Sequence, residues 1–214
     1  IYSIMNSLLQ YTLRIADSSL ILGQRMSQWC SNGPTLEEDI AMSNISLDLF
    51  GQANGFYEYA SQLDGSRSAD NLAFMRNERE FYNLQISEQV NGHFGATIVR
   101  NFFHDAFMFL FYTELKKSKD ETLSALAAKS LKEVKYHLRH SNNWLIRLGD
   151  GTQVSNSKVQ EALNDLWDSG LRNDNLVMLY LLNKNNIEMD RKVLAHLAFH
   201  EPETFKSIVN QVRK

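Results

Sequence analysis

The chain has 214 residues, of which 43% are apolar and 22% charged, with a formal net charge of -3 and a pI near 6.1. That is the composition of an ordinary globular protein, one good-sized domain or a domain with a small appendage, and nothing in the overall charge reads as a nucleic-acid binder. The single cysteine, Cys30, excludes an internal disulfide framework and a cysteine zinc site, and no apolar run approaches the ~20 residues that cross a bilayer. The opening IYSIMNSLLQ has no secretory-signal pattern, and its missing initiator Met suggests a trimmed or partial N-terminus.

Only two prolines leave room for long uninterrupted helices. The first is expected over about 4–30, where Leu8, Leu9, Leu13, Ile15, Leu20, Leu22 and Met26 give a broad apolar face; Ser31-Asn32-Gly33-Pro34 ends it. Thr35 is a natural N-cap, with Glu38 three residues on, for a second helix over about 36–63. Its apolar surface is expected to come from Ile40, Ile45, Leu47, Leu49, Phe50, Phe56 and Tyr59. Residues 64–93 read as a loop, a short helix and an irregular segment anchored by Phe74, Phe81 and Tyr82. A third long helix, about 95–117, is apolar on almost all sides from Phe102 to Tyr112 except at His104 and Asp105, and so is expected to be buried on almost all sides. The fourth, 121–148, keeps Leu123, Leu126, Ala127, Leu131, Val134, Leu138 and Leu145 at helical spacing. Four helices with one broken connection between the second and third predict an all-α, ferritin-like four-helix bundle over 1–170, with a small helical C-terminal appendage over 171–214.

Such bundles can hold a carboxylate-bridged di-iron centre, built from a Glu on each of two helices and Glu-x-x-His on each of the other two. In the second helix the matching positions are Leu49 and Gln52; in the fourth they are Val134 and His137. Asp105 is the one acid in the apolar run of the third helix, and Asp17 is the acid nearest the middle of the first. Hydrocarbon cannot coordinate iron, so at best Asp105 and His137 remain as ligands, and two protein ligands do not build the bridged centre. No metal, cofactor or catalytic residue is therefore expected. Gln52, Asp105, Glu133 and His137 are expected instead to form a hydrogen-bonded polar cluster inside the bundle, Glu133 and His137 lying four apart on one helix face; the alternative is that some of them face solvent. His93, His104 and His140 read as ordinary core or surface histidines, and Cys30 as a small hydrophobe.

The stretches YTLRIADSSLILGQRMSQWC, ISLDLFGQA, NLAFMRNEREFYNL, EQVNGHFGATIVRNFF, KEVKYHLRHSNNWLIRLGDGT and EALNDLW carry a specific resemblance over residues ~8–170. They resemble the structural, non-catalytic C subunit family of the bacterial phenylacetyl-CoA 1,2-epoxidase complex. The resemblance implies a partner, the homologous A subunit, which holds the di-iron centre and oxidises the ring of phenylacetyl-CoA; the C subunit has the same fold without a complete site, pairs with A and stabilises it. It implies a structural role in aerobic phenylacetate catabolism, in the cytoplasm, with no chemistry of its own.

From about residue 172 the text changes. Ile187-Glu188, Asp190 to Ala195, Leu197-Ala198 and His200 to Lys206 resemble the C-terminal domain of the large-subunit ribosomal protein of the L twenty family, a small helical unit that contacts rRNA, whose long basic N-terminal arm is absent here. Helices over about 173–184, 189–199 and 202–212 suit that domain and equally suit a small cap packed on the bundle. Residues 173–214 carry six Lys/Arg against five acids, so phosphate neutralisation by this tail alone is weak. Arg191, Lys192, Lys206, Arg213 and Lys214 are the candidate rRNA contacts of the alternative function, a ribosome-associated protein of the cytoplasm or an organellar matrix. The structural-subunit reading covers more of the chain, and without the tail 16 Lys/Arg face 20 Asp/Glu.

Overall fold

The structure, a computed structural model, describes residues 2–170 and the side chains of 7–166. All regular structure among the described residues is helical, and the fold class is the all-α, ferritin-like one that the sequence predicts. The helices are α1 (Tyr2–Ser27), α2 (Leu36–Asp64), α3 (Ala69–Phe74), α4 (Gln85–Glu88), α5 (Phe94–Leu115), α6 (Glu121–Gly149) and α7 (Gln153–Gly170), with a single 3-10 turn at Glu78–Glu80. The four long helices expected are α1, α2, α5 and α6. The expected C-terminal appendage, and with it Arg191, Lys192, Lys206, Arg213 and Lys214, lies outside the described residues.

Helix α7 is an addition to the expected elements. Its signals were in the chain: Val159, Ala162, Leu163 and Leu166 stand at helical spacing and are all buried. Thr152 and Ser155 exchange hydrogen bonds at its start, Ser155 N to Thr152 Oγ1 at 3.1 Å and Thr152 N to Ser155 Oγ at 3.0 Å.

Two compact units divide the chain, and α6 contributes to both. The first contains 2–90 with Leu115–Glu133. In it α1 and α2 pack closely. Gly23 allows the approach, since a Cβ there would lie 2.9 Å from the Phe50 ring and 3.4 Å from the Leu49 Cβ, and Ser46 Oγ donates to the Gly23 carbonyl at 2.8 Å. Thr35 caps α2 as expected, its hydroxyl accepting from Glu38 N. Gly65 ends α2 in the left-handed region, φ 71°, its N–H returning to the Ser61 carbonyl, a conformation that glycine adopts at least cost. Next to it Asp64 accepts from Ser66 Oγ at 2.6 Å and from Arg67 N at 2.8 Å, and it pairs with the Arg67 guanidinium at 2.7 Å. The Arg67 bond, then Ser66, hold the Asp64 carboxyl well below the usual carboxylate range.

A depressed folded-state pKa adds stability that is present above the unfolded value of about 3.9 and is lost as pH falls toward the folded value. Asp64→Asn should therefore cost a little at pH 7, under about 1 kcal/mol for a pair whose guanidinium is exposed, and less at pH 3. Urea melts of both proteins at the two pH values measure it. An equal gap at both would mean that the charge contributes nothing.

The second unit contains, of the described residues, Asn91–Glu114 with 134–170. The expectation that α5 is buried nearly all round holds best at its centre, where every residue from 97 to 105 is buried; several later residues, Phe107 and Phe109 to Phe111 among them, are only half-buried. That buried run includes Arg100, whose guanidinium donates to Asn91 Oδ1 at 2.8 Å and to Asn101 Oδ1 at 3.2 Å. Phe94 meets Trp144 of α6 edge to face, with ring centroids 5.0 Å apart. At its start, α5 is met by His93, whose Nδ1 accepts from Ala96 N at 3.1 Å; His93 is exposed and His104 buried, one surface and one core histidine as expected.

Candidate functional site

Leu49 and Val134, at two of the four positions where a di-iron centre needs carboxylates, are each only 1% exposed. Each buries hydrocarbon where such a centre would need a charged oxygen. Gln52, also buried, donates from Nε2 to Glu133 Oε2 at 2.9 Å within the first unit. The amide meets the acid through a proton, as a neutral donor rather than as an anionic ligand.

In the second unit, Asp105 accepts from Ser141 Oγ at 2.9 Å, and the same hydroxyl lies 3.0 Å from the His137 carbonyl one turn back. The neighbouring His104 places Nδ1 3.6 Å from Asp105 Oδ1, and both residues are buried. His137 is fully buried on α6, one turn before Ser141. Ser141 was not among the expected site residues. Serine four residues after a helical carbonyl commonly back-bonds to it, so its sequence position gave no reason to expect a bond to Asp105.

Such a donor set does not fit a bridged di-iron centre. Among the described residues no three His, Cys, Asp or Glu side chains group so as to hold a metal ion. The buried positions that would have to supply anionic oxygen supply Leu49 and Val134, and the carboxylates Glu133 and Asp105 accept hydrogen bonds from Gln52 and Ser141.

A second buried polar group was not foreseen. Asp17, the acid noted at the middle of α1, is completely buried. It accepts from Tyr57 Oη at 2.6 Å, from Arg76 Nη1 at 3.1 Å, again from Arg76 Nη2, and from Tyr82 N at 2.8 Å. Arg76 also donates to the carbonyls of Leu72 and Glu80, and its guanidinium lies 4.2 Å from the centre of the Phe81 ring. Burial first, then the adjacent Asp17 charge, push the Tyr57 hydroxyl up, so it remains a donor. Two further bonds, Leu84 N to Ser18 Oγ at 3.0 Å and Arg25 Nη2 to the Glu88 carbonyl at 2.9 Å, tie the same connection to α1. Residues 65–90 are thus fastened through polar groups. Phe74, expected as an anchor, is 64% exposed and Tyr82 is also exposed, while Leu72 and Ile86 are buried instead. The reason is the charge: once Asp17 and Arg76 are inside, the chain around them must present its N–H and C=O groups to them.

Comparison with known proteins bears on these features. Residues 3–173 match the family described as phenylacetic acid catabolic protein. The chain belongs to this family. Within it, the chain is 51% identical over 163 residues to the C subunit of the 1,2-phenylacetyl-CoA epoxidase of Escherichia coli K12, a match covering 76% of this chain and 66% of that protein. The chain therefore spans just under two thirds of the length of that relative. Shorter matches of another kind also occur. One is 58% identical over 33 residues to large ribosomal subunit protein bL20 of Rhizobium etli, covering 15% of this chain and 25% of that protein. Another is 29% identical over 99 residues to bL20 of Magnetococcus marinus, covering 46% of this chain and 69% of that protein. Both resemblances stated from the sequence are thus found, the first strong and the second partial. No helix among the described residues is long and apolar enough to cross a membrane.

Proposed function

We propose that this chain is a non-catalytic, structural subunit of a phenylacetyl-CoA epoxidase, which pairs in the cytoplasm with a homologous di-iron catalytic subunit and stabilises it. The observation that carries the reading is the pair of buried hydrocarbon side chains, Leu49 and Val134, where a family member that binds iron needs carboxylates. Gln52 with Glu133 in the first unit, and Asp105 and His137 in the second, are then vestigial polar residues, for which hydrogen bonds take the place of coordination; the Gln52–Glu133 bond and the Ser141–Asp105 bond support that part. No residue is assigned a catalytic role.

Co-expression with the catalytic subunit of such an epoxidase tests the proposal. The two chains should co-elute on a sizing column, and the purified single chain should hold no stoichiometric iron by elemental analysis. About two irons per chain would overturn the structural assignment of the site.

A second reading rests on the partial likeness to bL20. In it, Arg191, Lys192, Lys206, Arg213 and Lys214 contact large-subunit rRNA and residues 171–214 form a separate small unit. Binding of an rRNA fragment that weakens steeply with salt, together with failure to co-elute with the catalytic subunit, would favour it over the first.

A further inference from the structure

Helix α2 turns one stripe to solvent. Its exposed positions include 36, 40, 44, 47, 51, 54 and 58, spaced three or four apart along a single face. A solvated helix face is ordinarily polar. Here the N-terminal half of the stripe carries Leu36, Ile40 and Leu47, which are 71%, 53% and 66% exposed. Ile40 and Leu47, expected as part of the helix's apolar surface, thus lie on its exposed side. One exposed apolar side chain needs no explanation, but three aligned within about three turns mark a contact surface.

Gly51 follows on the same stripe, one turn after Leu47. A Cβ built on it meets nothing within 4 Å. Nothing in the chain's own packing requires glycine there, and glycine in the middle of a helix is unfavourable relative to alanine. A bare stretch of backbone beside exposed leucines is what another helix needs in order to approach closely.

Charge indicates what kind of helix. From Met26 to Ser66 the chain has no Lys, Arg or His, whereas Glu37, Glu38, Asp39, Asp48, Glu58 and Asp64 all fall in that span. Glu37 and Asp48 border the stripe beside Leu36 and Leu47, and Glu58 continues it. A second copy of this chain would set the same acidic rim against itself, and like charges facing each other disfavour a self-complementary interface.

We propose that the stripe Leu36, Ile40, Leu47 and Gly51 of α2 seats a helix of the catalytic partner, one whose apolar ridge is bordered by Lys or Arg. This rests on the structural-subunit reading above and names the face it uses. The full chain, wild type and variants, is co-expressed with the epoxidase's catalytic partner chain; affinity, salt dependence and melting temperature are measured, and each chain alone is sized by sedimentation.

Leu47→Asp and Gly51→Trp should each weaken pairing at least tenfold without lowering the melting temperature of the isolated chain. Glu37→Lys and Asp48→Lys, which leave the apolar residues in place, should weaken it severalfold and flatten its salt dependence; they decide the matter should either of the first two fold poorly. Val154→Asp, at an exposed apolar position on α7, should pair like wild type. If wild type pairs and all the α2 variants pair equally well, the face is wrong while the structural role stands. If wild type does not pair at all, both fall. A wild-type homodimer abolished by Leu47→Asp would replace the partner by a second copy and overturn the proposal.

Discussion

Arg76→Ala is expected to cost about 3–5 kcal/mol of folding stability, the range for removing one partner of a buried ion pair. The reason is what the substitution leaves behind. Asp17 is completely buried and stays so, with Tyr57 Oη and Tyr82 N as its remaining donors and no compensating cation. The carbonyls of Leu72 and Glu80 lose their donor, and the Phe81 ring loses the guanidinium lying over it. Arg76→Lys should fall between wild type and Arg76→Ala, since an ammonium keeps the charge but cannot span both carboxylate oxygens and two carbonyls. Urea unfolding followed by circular dichroism gives the energies. Limited proteolysis should also show new cleavage within 66–84, because the network is what fastens that connection to α1. A loss below about 1 kcal/mol for Arg76→Ala would mean that the connection is held by something else.

Val134→Glu restores the residue type of a di-iron helix in sequence, Glu-x-x-His ending at His137, and is expected to destabilise the chain by about 4 kcal/mol at pH 7. Val134 is almost fully buried. A carboxyl placed there has its pKa lifted above 7 by desolvation, so it is neutral at pH 7, and holding a group of ordinary pKa ~4.3 protonated at that pH costs about 1.36 kcal/mol for each of the ~2.7 units between. Here the folded-state pKa of an acid is raised. The penalty is therefore absent below the unfolded value of about 4.3 and grows as pH rises through it, up to the folded value. At pH 5 the same variant should lose only about 1 kcal/mol from this source. Denaturant melts at pH 5 and pH 7 read the difference. Ferrous iron should not recover the loss at pH 7, because the new carboxyl joins only Asp105 and His137, short of the six ligands of a bridged centre, and the other helix pattern still offers Leu49 and Gln52. Recovery on adding iron would show that a metal site needs fewer changes than the buried leucine and the engaged glutamine imply.

Helix positions were legible in the chain because they follow from local rules. Apolar spacing placed α1, α2, α5 and α6, and Thr35 and the Gly33-Pro34 break placed the boundary before α2. The same spacing continues past Gly151, where Val159, Ala162, Leu163 and Leu166 mark α7. Periodicity did not say which apolar residues of α2 go inside. That helix has large side chains on more than one side, and the sequence alone could not tell Ile45 and Leu49, which are buried, from Ile40 and Leu47, which are not. The difference depends on where the neighbouring helices stand.

The incomplete ligand pattern is a property of the sequence by itself: Leu49 and Val134 cannot bind a metal in any fold, and the all-α class and the family likeness rest equally on residue order. Only the tertiary structure decided how the remaining polar groups are satisfied. It brought Asp17 to Arg76 across 59 residues and Gln52 to Glu133 across 81, and set Ser141 against Asp105 across 36. It also left Leu36, Ile40 and Leu47 in water. A hydrogen bond between distant residues carries no local signature, because what selects it is the cost of burying each group without a partner, and that cost exists only once the helices have closed around it.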